Sequence, residues 1–134
     1  MNQQIYVNLP VKDLARSRTF FARLGFDFNP QFSDDTAACM QVAENIFVML
    51  LTEAKFQGFT PKPICNAHQA TEVLVCLSAE SRERIDELVR AAVAAGGSTY
   101  SEAQDHGFMY GHGFQDLDGH IWELVHLSAA PDQH

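Results

Sequence analysis

Residues 5–25, IYVNLPVKDLARSRTFFARLG, decide the fold because a strand and a helix follow each other within this short stretch. Apolar residues occupy every second position from Ile5 to Val11, which is the period of a strand with one face on a core. Asp13 then predicts a helix N-cap, and Gly25 is placed to end the helix in a left-handed conformation. The stretch therefore predicts a strand that leads directly into an amphipathic helix.

The same order of elements, strand–helix–strand–strand–strand, is predicted twice along the chain. In the second half it covers EVLVCLS at 72–78, SRERIDELVRAAVAAGG at 81–97, STYSE at 98–102, FMYGHGFQD at 108–116 and HIWELVHL at 120–127. The prediction is one α+β domain over 1–134, with βαβββ half-modules at about 3–58 and 70–128, a linker at about 59–69 and a short tail at 129–134. Each module is expected to form a curved mixed sheet with its helix on the outer face, and the two together to leave a cup.

Composition excludes several classes of function. Acidic residues number 17 against 9 basic ones, so the formal charge of −8 disfavours nucleic acid and anionic membranes as partners. The opening MNQQIYVNLP lacks the basic and apolar regions of a signal peptide, and no apolar run approaches the ~20 residues of a membrane span. The 3 cysteines show no C-x-x-C spacing, so neither a disulfide framework nor a zinc knuckle is expected. These features predict a cytoplasmic protein.

Two stretches carry a family resemblance. VNLPVKDLARSRTFFARLGF at 7–26 and QDLDGHIWELVHL at 115–127 resemble the opening and closing elements of the vicinal oxygen chelate superfamily, which includes glyoxalase I, bleomycin-resistance proteins and extradiol dioxygenases. NIFVMLL at 45–51 and HGFMYGHGFQDLDGHIWE at 106–123 resemble the branch labelled predicted lactoylglutathione lyase. The resemblance implies a small-molecule ligand in the cup and a homodimer, in which the exposed sheet edges pair.

The resemblance also identifies four positions at which metal-using members of the superfamily supply ligands, usually two His and two Glu. In this chain they are Tyr6, Met49, Glu72 and Glu123. Only Glu123 keeps the usual ligand, because the thioether of Met49 is too soft for a hard divalent ion and neutral Tyr6 is a poor ligand. The sequence does not identify a cofactor, and the residues at these four positions do not favour a bound divalent metal.

Glu72 and Glu123 are the candidate catalytic residues. Alternation sends both carboxylates away from the apolar face that meets the helices, so they would point into the cup as an acid–base pair. The alternative is that both are solvated or hydrogen-bonded to Tyr6. The candidate ligand-binding residues are Tyr6, Asn8, Phe47, Met49, His106, Tyr110 and His112. Each has a plain alternative, either as a packed strand residue or as a hydrogen-bonded surface histidine.

Three functions are compatible with the sequence. The first is a glyoxalase-like enzyme, related to lactoylglutathione lyase or dioxygenase-like, that acts as a lyase or isomerase on a small metabolite. The second is a metal-independent protein that sequesters a small ligand in the manner of bleomycin-resistance proteins. A third is a structural or regulatory partner-binding protein. One fold can host all of these functions, so the site residues have to decide between them.

Overall fold

The computed structural model describes residues 3–128 of the chain, and the tail predicted at 129–134 lies outside the described residues. The chain divides into two compact units, with the boundary between Cys65 and Asn66. This boundary falls inside the linker predicted at 59–69.

The first unit contains one four-stranded mixed sheet and two helices. Its elements are β1 (Ile5–Val11), α1 (Leu14–Arg23), β2 (Asp27–Phe28), a 3-10 helix (Pro30–Phe32), β3 (Ala37–Ala43), β4 (Ile46–Thr52) and α2 (Glu53–Gln57). The strand order is β1-β4-β3-β2, with β1 parallel to β4 and the other pairs antiparallel.

Both ends of α1 follow the sequence prediction. The Asp13 carboxylate accepts a hydrogen bond from the Arg16 backbone N–H at 3.1 Å, and Gly25 has a φ of 99°. Both features satisfy backbone groups that a helix leaves without partners at its ends. Phe20 and Phe21 are buried on the inner side of α1, so the helix covers one face of the sheet.

The second unit repeats this arrangement. Its elements are β5 (Leu74–Ser78), α3 (Arg82–Ala94), β6 (Gln104–Asp105), β7 (Met109–Gln115) and β8 (Ile121–Leu127). The strand order is β5-β8-β7-β6, with β5 parallel to β8. The α+β class and the two βαβββ modules are therefore confirmed. Within residues 3–128, no helix is long and apolar enough to cross a membrane.

The strand predicted at 72–78 begins two residues late, at Leu74. The reason is its partner strand: β8 begins at Ile121, which pairs with Leu74, and the residues before Ile121 belong to a turn. Glu72 therefore lies before β5 and is exposed.

The short strand predicted at 98–102 is also absent, and β6 forms instead at Gln104–Asp105, between that stretch and the strand predicted at 108–116. Ser98 makes an isolated bridge to Gln115, and Gln104 pairs with Gly111. Ser98 and Gln104 are six positions apart in the chain, but their partners on β7, Gln115 and Gly111, are only four positions apart. Residues 99–103 therefore bulge out of the sheet.

The turn between β7 and β8 is organised by the buried carboxylate of Asp116. One of its oxygens accepts the backbone N–H groups of Asp118 and His120 at 2.9 and 3.0 Å, and the other accepts the Trp122 indole N–H at 2.9 Å. Burial raises the pKa of Asp116, while His120 and these donors oppose that effect. The network fixes the register of β8 and with it the position of Glu123.

Candidate functional site

Glu123 lies at the centre of a row that crosses three strands of the second sheet. Its register partners are Cys76 on β5 and Gly113 on β7. Register partners in a sheet point to the same face, so these three residues share a surface. The neighbours Trp122 and Leu124 point to the opposite face and are buried on the side of α3. Glu123 itself is half-buried, on the face that carries no helix within this unit.

A pocket of about 330 Å³ opens over this row. It is lined by Tyr100, Ser101, Glu102, Gln104, His106, Met109, Gly111, His112, Gly113, Glu123, Leu124 and Val125. Its floor is β7, where Gly111 and Gly113 leave the strand without side chains on this face. Its wall is the bulged segment followed by β6. The volume lies at the small end of the roughly 300–1,000 Å³ that is usual for ligand sites.

Tyr100 fills the space that a side chain at Gly113 would occupy. A Cβ built on Gly113 would overlap the Tyr100 hydroxyl and the Trp122 carbonyl oxygen. Partial burial raises the pKa of Tyr100, and the charge of Glu123 adds to the effect. The same two causes, in the same order, raise the pKa of Cys76. Glu123 is thus flanked by a phenol and a thiol that both keep their protons near neutral pH.

Sequence reasoning missed Tyr100 and gave Cys76 no functional role. The signal for Tyr100 was Gly111-x-Gly113, because glycine at alternate positions of a strand leaves one sheet face bare for another group to cover. The covering residue comes from the bulge at 99–103, which the sequence predicted as a regular strand.

The residues predicted in the second unit fall into two groups. Glu123, His106 and His112 line the pocket. A ring nitrogen of His112 lies 3.2 Å from the Ser101 carbonyl oxygen and connects β7 to the bulge. Tyr110 does not line the pocket, because its hydroxyl donates to Asp86 of α3 at 2.7 Å. Glu72 is not a lining residue either.

The residues predicted in the first unit share one face of its sheet. Tyr6 pairs in register with Phe47, and Asn8 pairs with Met49. The Tyr6 and Phe47 rings stack with centroids 4.7 Å apart, and the Tyr6 hydroxyl donates to the Gln4 side-chain oxygen at 3.1 Å. On this face Phe47 is buried and Tyr6 is 46% exposed, and the polar side chains of Asn8 and Gln41 lie beside them.

The residues at the four superfamily positions do not fit a hard divalent metal. Tyr6 already donates its hydroxyl hydrogen to Gln4, and Met49 offers only a thioether. Glu72 lies outside the strands, which leaves Glu123 as the one carboxylate held on a strand. Among residues 3–128, no group of three or more His, Cys, Asp or Glu side chains could hold a metal ion.

Comparison with known proteins supports this architecture. A sequence profile described as "Bleomycin resistance protein-like N-terminal" matches residues 3–43. A hypothetical protein from S. aureus, SA1046, is 31% identical, with 93% of this chain and 94% of that chain covered at a TM-score of 0.78. No protein of curated function matches the chain in a sequence search.

Two more distant structures show the same fold. A glyoxalase/bleomycin resistance protein/dioxygenase family enzyme from Burkholderia phytofirmans is 14% identical, covers 94% of this chain and 99% of its own, and has a TM-score of 0.76. The fosfomycin resistance protein FosX from Listeria monocytogenes is 17% identical, covers 96% of both chains, and has a TM-score of 0.67.

Two βαβββ modules, one with a carboxylate-bearing pocket, define the class as duplicated α+β proteins. The chain belongs to the same family as the S. aureus protein SA1046, and it has the fold of the glyoxalase/bleomycin resistance/dioxygenase structures, the vicinal oxygen chelate fold. The narrower lactoylglutathione lyase branch stays a prediction.

Proposed function

We propose that this protein binds a small organic cation without a metal and holds it beside Glu123. The observation that carries the proposal is the charge of the pocket. Glu102 and Glu123 line it, and no lysine or arginine is among its lining residues in the described chain. The chain as a whole carries a formal charge of −8, so its long-range field also attracts cations.

The remaining lining residues narrow the ligand class. Met109 and Val125 give the pocket apolar surface beside the carboxylate. The protonated Tyr100 hydroxyl adds a neutral hydrogen-bonding group on the other side of Gly113. A ligand with a short apolar or aromatic body and one protonated amine would complement this combination, and it would match the volume of about 330 Å³.

The test is a titration with two probes of the same shape and opposite charge. Tryptamine and indole-3-acetate share an indole ring, but one is a cation and the other an anion at pH 8. We expect tryptamine to shift the amide NMR signals of Tyr100, Gly111 and Gly113, and indole-3-acetate to leave them unchanged. Equal or stronger binding of the anion would contradict the proposal.

A matched pair of variants localises the charge effect. Glu123→Gln should raise the tryptamine Kd about tenfold, because a hydrogen bond to a charged group contributes about 1.5–3 kcal/mol and the half-burial of Glu123 places its contribution at the lower end of that range. Glu102→Gln also removes one carboxylate from the pocket lining. Because Glu102 is exposed, its charge is screened by solvent and salt, and the tryptamine Kd should rise only about twofold. Equal losses in the two variants would argue for general electrostatics rather than binding at Glu123.

A glyoxalase-like lyase or isomerase is the second candidate, and one observation favours it. A half-buried carboxylate between two proton-bearing groups, Tyr100 and Cys76, is an arrangement suited to proton transfer. Glu72 remains the predicted second acid–base residue of this function. Turnover of the glutathione–methylglyoxal hemithioacetal, assayed with and without added Ni²⁺ or Zn²⁺, tests it. Unchanged kinetics in Glu123→Gln would rule out the role assigned to that residue.

We also propose a cytoplasmic homodimer. The edge strands β1 and β5 support the dimer, because unpaired strand edges are common sites of association. Ile5 and Leu74 on these edges are 55% and 52% exposed. Sedimentation at micromolar concentration should give twice the chain mass of 14.9 kDa, and a monomeric profile would refute the dimer.

A further inference from the structure

Arg82, the first residue of α3, reaches from the helix to the wall of the pocket. Its guanidinium forms a bidentate pair with the Asp105 carboxylate, at 2.7 and 3.0 Å. One of the same nitrogens also donates to the Gly107 carbonyl oxygen at 3.0 Å. A planar guanidinium can make this fork of contacts, whereas an ammonium group has no matching geometry.

Arg82 is itself held in place by its neighbours. Its guanidinium carbon lies 5.1 Å from the centre of the Tyr110 ring, and the Tyr110 hydroxyl donates to Asp86 at 2.7 Å. Asp86 lies one turn along α3 from Arg82, so helix, ring and guanidinium form one connected group. The arrangement reduces the freedom of a long side chain before it contacts the wall.

The residues that Arg82 contacts alternate with residues that line the pocket. Asp105 lies between the lining residues Gln104 and His106. Its carboxylate also accepts the Gly107 backbone N–H at 2.9 Å, and Gly107 has a φ of 84°. The His106 backbone N–H donates to the Met109 carbonyl oxygen at 2.8 Å and closes the turn. Arg82 thus binds the residues of this turn that do not line the pocket, while their neighbours line it.

We infer that Arg82 is a positioning residue for ligand binding, which sets the place of the Gln104–His106 wall without touching the ligand. The inference rests on the proposed function of the pocket. It predicts that the loss of Arg82 loosens the wall and weakens binding while the rest of the fold stays intact. The contacts are at the surface and screened, so a moderate effect is expected.

The experiment compares Arg82→Met and Arg82→Lys with the control Arg84→Met. The control removes a guanidinium from the same helix, where it pairs with Glu87 at 3.1 Å. The readouts are the tryptamine Kd, amide hydrogen exchange at His106 and Gly107, and the melting temperature. For both Arg82 variants we expect a two- to fivefold higher tryptamine Kd and faster exchange at those two amides. Their melting temperatures should equal that of the control Arg84→Met. Arg84→Met should match the wild type in Kd and exchange.

Two results would overturn the inference. One is a wild-type Kd and wild-type exchange in Arg82→Met. The other is a lower melting temperature with no change in Kd, which would make the contact purely structural. Rescue by Arg82→Lys would contradict the bidentate geometry. If the wild-type protein binds no tryptamine, the proposed function fails and takes this inference with it. Tight wild-type binding that is indifferent to Arg82 overturns the inference alone.

Discussion

Alanine at Gly111 and alanine at Gly113 should change stability in opposite directions, although the two positions face the same pocket from one strand. A Cβ on Gly111 would lie 3.6 Å from the Leu124 carbonyl oxygen and 3.8 Å from a Val125 methyl group, which are ordinary contacts. A Cβ on Gly113 would overlap the backbone oxygen of Trp122, which cannot move without disturbing the sheet.

The magnitudes follow from these contacts. Gly111→Ala should gain about 0.4–1 kcal/mol, because alanine restricts the unfolded chain at a position it can adopt without strain. For a chain of this size the gain corresponds to a melting temperature about 1–4 °C higher. Gly113→Ala should lose about 1–3 kcal/mol through overpacking, which lowers the melting temperature by roughly 3–12 °C.

Scanning calorimetry measures the stability, and the tryptamine titration measures the pocket. Gly111→Ala should be more stable yet bind tryptamine more weakly, because its methyl group rises from the pocket floor. This split between stability and binding is the informative result. A Gly111→Ala protein that binds as well as the wild type would contradict the placement of the pocket. A Gly113→Ala protein with wild-type stability would contradict the close approach of Tyr100 and Trp122.

Three further predictions concern single groups. Tyr100→Phe should change the free energy of unfolding by no more than about 0.5 kcal/mol and should weaken tryptamine binding two- to fivefold. Tyr110→Phe should bind tryptamine more tightly than Tyr100→Phe. Asp116→Asn should lower the free energy of unfolding by about 1.5–3 kcal/mol, because the Trp122 N–H loses a charged acceptor; an unchanged urea midpoint would contradict this. The hydrogen bond from Arg82 holds the pKa of Asp105 below its ordinary value of 3.8, so its contribution is fully present above pH 3.8 and lost as the pH falls through the lowered pKa. Exchange protection at Gly107 should follow that titration in the wild type. In Asp105→Asn the protection should not change over the same pH range, because an amide side chain does not titrate.

The sequence predicted the fold because its signals were local. Asp13 and Gly25 mark the two ends of α1 through backbone chemistry that needs no distant partner. The period of two around Glu123 predicted that its carboxylate lies on the face opposite Trp122, and the alternation of β8 follows that period. These features depend on neighbours in the chain, so a single sequence can reveal them.

The parts that escaped prediction depend on pairing between distant segments. β5 begins at Leu74 because Ile121 is the first residue of β8 that can pair with it. The bulge that carries Tyr100 exists because more residues lie between Ser98 and Gln104 than between their two partners on β7. No local sequence pattern encodes either register, so the residues that form the wall of the pocket could not be predicted from the sequence.

Metal-independent binding is tested by measuring whether the pocket binds a cation in the absence of any metal. Purified protein would be dialysed against EDTA, checked by elemental analysis, and titrated with tryptamine before and after Zn²⁺ or Ni²⁺ is restored. We expect the same Kd in all three states and a Kd about tenfold higher for Glu123→Gln. Binding that appears only when the metal is restored would contradict metal-independent binding.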